Sequence, residues 1–209
     1  MSGNRRNRNR RKARRPPFKE ARPRILVVTE GAVTEPQYLD GLKNACRNPL
    51  VDVEVEDRHG RDPHTLVKIA KNRQRQAEKQ ARRESDDNLK YDDVWCVFDI
   101  DDHLTVGDAK QMARDNQIEV AISNPAIELW LLLHFRDSPG MQHRDRIRDM
   151  LQQFIPGYDK SVDFKQYEGG YVDAVIRAES LDQMAECDGE ENRNPTTGMY
   201  RLTRQICGE

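Results

Sequence analysis

Short apolar segments that alternate with helical patterns constrain the fold of this chain more than any other feature of its sequence. Residues 24–28 and 93–98 are apolar runs of strand length, and residues 51–55 alternate valine with an acidic residue. Residues 119–122 form a shorter candidate strand. Strands that alternate with helices predict an α/β fold with a mainly parallel sheet flanked by helices.

Helical periodicity separates and follows these strands. Thr34 with Gln37 predicts a capping box at the first helix, and Asn124 is the predicted cap of a helix that starts at Pro125 and runs through AIELWLLLHF. The stretch DGEENRNPTTG, residues 188–198, is predicted to be a loop. The other predicted helices cover residues 34–47, 63–84, 106–116, 144–154, 171–186 and 197–207.

Charge divides the chain into two parts. Residues 5–24 carry eleven Lys or Arg and one Glu, whereas the rest carries 24 basic and 35 acidic residues. The basic segment has no apolar periodicity, which predicts a disordered tail over residues 1–23 and a single domain over residues 24–209. The tail has two interpretations: an electrostatic arm that contacts phosphates, or a solubilising segment that folds back on the acidic domain.

Composition argues against membrane insertion and export. Only 36% of residues are hydrophobic, and no apolar run approaches the roughly 18 residues of a membrane span. The basic N-terminus has no apolar segment behind it, so a cytoplasmic location is expected. The four cysteines show no CxxC spacing, which favours free thiols or core residues over a zinc site. They are Cys46, Cys96, Cys187 and Cys207.

Acidic residues follow two of the predicted strands. Glu30 ends the first apolar run, at a glycine, Gly31, that allows the chain to turn closely. Asp99 and Asp101 follow the run at 93–98; in an extended chain they project to one face, about 7 Å apart. Because ligands of parallel sheets bind beyond the carboxyl ends of strands, we expect these three carboxylates to meet at one edge.

Carboxylates crowded together repel one another, and a divalent cation removes that conflict. Hard oxygen ligands suit Mg²⁺ or Mn²⁺, and such a site supports phosphoryl transfer or phosphodiester cleavage. Aspartates at strand ends are also common turn formers and helix caps, so each residue alone is a weak signal.

Further residues have two interpretations each. Glu35 is either a second metal ligand or an acid favoured at a helix N-terminus. His103 is either a general acid or phosphate contact, or a loop histidine without a role. A basic face on the helix at 63–84 is either a binding surface for a nucleic-acid backbone or a solvated helix face. That face comprises Lys68, Lys71, Arg75, Lys79 and Arg82.

Four segments in this order resemble the RloB family: ILVVTEGAVTEPQYLDGL, VWCVFDIDDH, AISNPAIELWLLLHF and NPTTGMYRL. They are spread over residues 25 to about 202, so the resemblance covers nearly the whole chain except the arginine-rich tail. The core of that family resembles the Toprim domain of topoisomerases, primases and OLD-type nucleases.

The resemblance implies a Toprim-like core, with Glu30 as the acid after the first strand and Asp99 with Asp101 as the DxD pair. It favours the interpretation of Glu35 as an added metal ligand. It also draws attention to Glu128, an acid on an otherwise apolar helix, with Ser123 and Asn124 nearby as polar lining of the site. An exposed helix position is the competing interpretation of Glu128.

The family's association with restriction and phage-defence gene clusters implies a nuclease effector with a possible protein partner. The leading hypothesis is therefore a Mg²⁺-dependent nuclease. A nucleic-acid-binding or regulatory subunit with a silent metal site is the alternative, and a DxD phosphatase with Asp99 as nucleophile is the third. The sequence does not distinguish DNA from RNA, nor indicate the oligomeric state.

Overall fold

A five-stranded sheet forms the centre of the protein. The computed structural model describes residues 23–55, 62–100 and 106–209. The strand order is β2–β1–β3–β4–β5, with the first four strands parallel and the last antiparallel to its neighbour. The mainly parallel α/β fold predicted from the sequence is therefore confirmed. The strands are β1 (Ile25–Thr29), β2 (Val51–Val55), β3 (Asp93–Asp99), β4 (Glu119–Asn124) and β5 (Thr196–Thr197).

Seven α-helices in the described part of the chain cover the two faces of the sheet. Helices α2 and α3 pack on one face, and α1 with α4, α5, α6 and α7 packs on the other. Among the described helices, none combines the length and apolar character needed to cross a membrane. The helices are α1 (Thr34–Ala45), α2 (Pro63–Glu84), α3 (Val106–Asp115), α4 (Glu128–Leu133), α5 (Arg144–Gln152), α6 (Tyr171–Cys187) and α7 (Met199–Cys207).

The continuous apolar run of β1 reflects burial on both faces of the sheet. Successive side chains of a strand point to opposite faces. Ile25 and Val27 accordingly pack with α1 and α4, whereas Leu26 and Val28 pack with α2 and α3. A strand covered on both sides has no face toward solvent, which explains why its sequence lacks polar–apolar alternation.

The helix predicted to start at Pro125 begins later than expected. Strand β4 extends to Asn124, because Ser123 and Asn124 pair with β5, and α4 starts only at Glu128. Asn124 is therefore not a helix cap; its side-chain amide donates to the backbone oxygen of Asn192 at 2.7 Å. The stretch predicted to be a loop contributes this fifth strand.

The capping box predicted at the start of α1 is also absent. Val33 precedes the helix, and no side chain caps it. The Thr34 hydroxyl instead donates to the backbone oxygen of Lys160 at 2.9 Å, and the Gln37 side-chain oxygen accepts from the Val162 N–H at 2.7 Å. Both side chains are used in tertiary contacts because a distant segment passes directly over the first turn of α1.

Two cysteines predicted to be free form a disulfide. Cys46 and Cys207 are bonded across 161 residues of sequence, with their Cα atoms 5.1 Å apart. The ends of α1 and α7 meet here, since the buried Asn48 amide donates to the Ile206 carbonyl at 2.8 Å. A Cα–Cα distance of 5.1 Å lies within the range that a disulfide spans without backbone movement. Cys96, which is buried, and Cys187, which is exposed, remain thiols as predicted.

Candidate active site

The carboxyl ends of β1 and β3 bring two acidic residues to one edge of the sheet. Asp99 is the last residue of β3, and Glu30 follows β1 directly. The Glu30 N–H donates to the Val97 carbonyl at 3.0 Å, which extends the pairing of the two strands. The backbone of Glu30 is thereby fixed beside the end of β3.

A cavity of about 220 Å³ opens at this edge. Its acidic side chains come from a strand end, the turn after β1 and the starts of two helices. Two cationic side chains join them, one at the start of α5 and one in the segment after that helix. The lining comprises Glu30, Gly31, Ala32, Val33, Thr34, Glu35, Asp99, Ile127, Glu128, Arg144 and Lys160.

Gly31 is required by the position of Glu35. Glu35 lies in the first turn of α1 and is 5% exposed, with its carboxylate folded back over the turn after β1. A Cβ atom on residue 31 would lie 2.0 Å from Glu35 Oε2. The glycine therefore permits a close approach that holds a buried acid in the cavity.

Glu128 reaches the cavity from the other side. It is the first residue of α4 and only 6% exposed. The hydroxyl of Tyr158 donates to Glu128 Oε1 at 3.4 Å, so the buried carboxylate has a polar partner. Because α4 begins at Glu128 and not at Pro125, this side chain lies at the start of the helix, where it lines the cavity.

The carboxylates affect one another's ionisation. Burial raises the pKa of the Glu35 carboxyl, and the charges of Glu128 and Glu30 raise it further, against hydrogen bonds from the backbone N–H groups of Glu35 and Gly31. Burial also raises the pKa of Asp99 well above its ordinary value. Glu35, Glu128 and Glu30 act on the pKa of Asp99 in the same direction, and Arg144, 3.9 Å from Asp99 Oδ2, opposes them.

This donor set suits a hard divalent cation. Four carboxylates line one cavity, and positive charge relieves the repulsion that adds to burial in raising two of their pKa values. Across residues 23–55, 62–100 and 106–209, no three His, Cys, Asp or Glu side chains are already placed so as to enclose an ion. An ion held here through one or two carboxylates, with water completing its shell, matches the preference of Mg²⁺.

Three residues of the site carry no signal in the sequence. Arg144 and Lys160 line the cavity, and Tyr158, which is not part of the lining, contacts Glu128. All three belong to segments that follow the motifs of the strand ends by dozens of residues, and no spacing rule connects them. The backbone of Lys160 does stand out, since its φ of 78° lies in the left-handed region that non-glycine residues rarely adopt.

The predicted basic face lies outside the cavity. Lys68, Lys71 and Arg75 are on α2, with Lys68 and Arg75 exposed. Because α2 follows the carboxyl end of β2 and connects it to the parallel strand β3, its first half lies toward the edge that carries the cavity. Lys68 and Lys71 are therefore nearer that edge than Arg75, on the opposite face of the sheet from Arg144.

Ser123 and Asn124 do not belong to the cavity lining. The Ser123 hydroxyl hydrogen-bonds with the Thr197 hydroxyl at 2.9 Å, and Asn124 contacts Asn192, so both join β4 to the chain around β5. Asp101 and His103, predicted as a metal ligand and a substrate contact, lie outside the described residues, as does all but the last residue of the predicted tail.

Comparison with protein families gives one assignment. A family model described as RloB-like protein matches residues 25–206, which includes both strand-end acids and the whole cavity lining. Comparisons with curated proteins and with solved structures found no significant match. The match covers far more than half of the chain, and the chain therefore belongs to the RloB-like protein family.

Proposed function

We propose that this protein is a Mg²⁺- or Mn²⁺-dependent nuclease of the Toprim type that cleaves phosphodiester bonds in nucleic acid, acting in anti-phage defence. The observation that carries the proposal is the meeting of Glu30, Glu35, Asp99 and Glu128 in one cavity at the carboxyl edge of a parallel sheet. Such a cluster has an electrostatic cost that a function must offset.

Glu30, Asp99 and Asp101 are the proposed ligands of the cation, with Glu35 and Glu128 assisting them. A bound divalent cation supplies an activated water and neutralises charge on the leaving oxygen. Arg144 and Lys160 border the acids and are placed to bind non-bridging phosphate oxygens by direct ionic hydrogen bonds. Lys68, Lys71, Arg75 and the basic tail then bind the nucleic-acid backbone further from the cavity.

A second candidate is a nucleic-acid-binding or regulatory subunit without catalytic activity, working with a protein partner of a defence system. The observation in its favour is that, in the part of the chain that the structure describes, no three potential ligands already surround an ion. A phosphatase with Asp99 as nucleophile is the weaker candidate. The DxD motif of such phosphatases normally opens the domain, whereas here β1 and Glu30 precede the strand that ends on Asp99.

Cleavage assays test the proposal. Labelled plasmid DNA, single-stranded DNA and total tRNA are incubated with the wild type in Mg²⁺, in Mn²⁺ or in EDTA. We expect metal-dependent cleavage of one substrate class, reduced at least about a hundredfold in Asp99→Asn. Asp149→Asn removes an exposed acid of α5 and serves as the matched control, with unchanged activity expected.

Each other outcome points elsewhere. Cleavage that persists in EDTA or in Asp99→Asn would contradict the proposed site. Salt-sensitive binding of nucleic acid without cleavage in either metal would favour the regulatory subunit. Release of phosphate from a small ester, with a phosphoryl group trapped on Asp99, would favour the phosphatase.

A further inference from the structure

The segment of residues 158–162 connects the two buried glutamates of the cavity. It follows α5 and passes over the first turn of α1, where it contributes Lys160 to the cavity wall. Lys160 adopts a left-handed backbone conformation, with φ of 78°, that is unfavourable for a non-glycine residue. Such a conformation persists only where surrounding contacts hold it.

Contacts with α1 and α5 fix this segment. The Thr34 hydroxyl donates to the Lys160 carbonyl at 2.9 Å, and the Gln37 side-chain oxygen accepts from the Val162 N–H at 2.7 Å. From α5, the Gln152 amide donates to the Tyr158 carbonyl at 3.1 Å. The residues next to Glu35 on α1 thus set the backbone of the segment.

Tyr158 connects this segment to Glu128 by a side-chain hydrogen bond. The residue is 4% exposed, and its hydroxyl donates to Glu128 Oε1 at 3.4 Å. This hydrogen bond gives the buried Glu128 carboxylate a polar partner. A phenol has a single proton to donate, so Tyr158 binds only one oxygen of the carboxylate, Oε1. The other oxygen is not held by Tyr158.

We infer that Tyr158 is a positioning residue for Glu128, and that Thr34 and Gln37 hold it in place. Glu35 and Glu128 lie on separate helices, 93 positions apart in sequence, and the segment links the first turn of α1 to the first residue of α4. The inference rests on the proposed function, because the orientation of Glu128 matters only if its carboxylate serves the metal centre. Partners of a metal-binding carboxylate typically contribute about ten- to a hundredfold to metal affinity.

Tyr158→Phe removes only the hydroxyl and is the first test. Mn²⁺ binding is measured by calorimetry in the absence of nucleic acid, so that the readout does not depend on cleavage. We expect about tenfold weaker binding. In cleavage assays, kcat should fall while KM for nucleic acid stays near the wild-type value, because Tyr158 does not line the cavity.

Tyr200→Phe is the matched control. Its hydroxyl also donates to a carboxylate, Asp182 Oδ2, at 3.0 Å, and its ring is 9% exposed. Asp182 does not line the acidic cavity, so this variant loses an equivalent hydrogen bond without an effect on Mn²⁺ binding. Equal Mn²⁺ affinities of the two variants would overturn the inference while leaving the proposed nuclease intact.

A double-mutant cycle tests the role of α1. Gln37→Ala leaves the Val162 N–H without its acceptor and should weaken Mn²⁺ binding in the same direction. If both residues act through Glu128, the effect of Tyr158→Phe with Gln37→Ala is smaller than the product of the two single fold-changes. Independent, multiplying effects would contradict the link. A wild type that binds neither Mn²⁺ nor Mg²⁺ would remove the metal centre, and the inference with it.

Discussion

Two buried polar clusters lie about one helical turn apart on the same pair of helices, and they are built in opposite ways. In the first, Glu35 of α1 and Glu128 of α4 line the acidic cavity. In the second, Tyr38 of α1 meets Trp130 of α4 and His134, which follows it. The first cluster gathers like charges, whereas the second is neutral.

The aromatic cluster uses both ring nitrogens of His134. Nδ1 donates to the Trp130 carbonyl at 2.9 Å, which leaves Nε2 as the acceptor for the Tyr38 hydroxyl at 3.0 Å. Burial lowers the pKa of His134 to about 4, so the ring stays neutral near pH 7. The rings meet edge to face, an arrangement that adds to the energy of their burial.

The difference separates stability from function within one pair of helices. The aromatic cluster pairs the Tyr38 hydroxyl and both His134 nitrogens within itself, leaves only the buried Trp130 Nε1 of these groups without a hydrogen-bond partner among the described residues, and stabilises the packing of α1 against α4. The acidic cavity retains a charge conflict that a bound cation would relieve, which is the pattern of a functional site. Three perturbations distinguish the two clusters.

The largest effect on stability is expected from protonation of the aromatic cluster. A pKa that is lower in the folded than in the unfolded state makes stability fall as the pH drops. As the pH falls from about 6.5 to 4, His134 binds a proton in the unfolded state before it does so in the folded state. This difference should lower the free energy of unfolding by about 3 kcal/mol. Urea titrations at several pH values compare the wild type with His134→Gln, whose side chain stays neutral. Groups common to both proteins cancel, so parallel pH curves would contradict this assignment.

Neutralising an acid of the cavity should have the opposite sign. Glu35→Gln removes one of the like charges and should raise the free energy of unfolding of the metal-free protein by about 1 kcal/mol at pH 8. The pKa of Glu35 is raised in the folded state, so its penalty is full above that pKa and disappears as the pH falls. The gain should therefore shrink toward acid pH.

Glu179→Gln is the control for that variant. Glu179 forms a two-pronged ion pair with Arg204 at 2.8 and 3.0 Å, which lowers the pKa of the carboxyl. Its neutralisation should slightly destabilise the protein instead. A loss of stability in Glu35→Gln as well would mean that Glu35 acts as a structural group rather than as part of a strained site.

The smallest effect on stability is expected from Gly31→Ala. The added methyl group would displace the Glu35 carboxylate and weaken Mn²⁺ binding by several-fold, roughly 1 kcal/mol, with little change in thermal unfolding. Gly169→Ala, where a Cβ meets nothing within 4 Å, is the control. In a Glu35→Gln background, Gly31→Ala should have no further effect on Mn²⁺ binding; a full additional loss would show that the turn itself is the cause.

Local patterns in the sequence were sufficient for the framework of the site. The apolar runs predict β1 and β3, and the predicted helix at 63–84 matches α2 at both ends. Glu30 follows β1 and Asp99 ends β3, so the parallel sheet brings them to one edge. These predictions succeed because strand period, helix period and turn residues are properties of neighbouring positions.

The rest depends on residues that are distant in sequence. Thr34 forms its hydrogen bond 126 positions away, and Ser123 forms its own 74 positions away, so neither follows a local capping or helix rule. Arg144 and Lys160 reach the cavity only because α5 and the next segment pack over α1 and α4. For the same reason no spacing rule pairs Cys46 with Cys207.

That disulfide divides the chain into a covalent ring and a part outside it. Residues 46–207 form the ring, which contains Asp99 and Glu128, whereas β1 and α1, with Glu30 and Glu35, precede it. The acidic cavity therefore forms only where β1 and α1, which lie outside the ring, pack against elements inside it. A single protease cut inside the ring leaves its two fragments joined until reductant is added, whereas a cut between Glu30 and Glu35 leaves the segment that carries Glu30 held only by the pairing of β1 with β2 and β3.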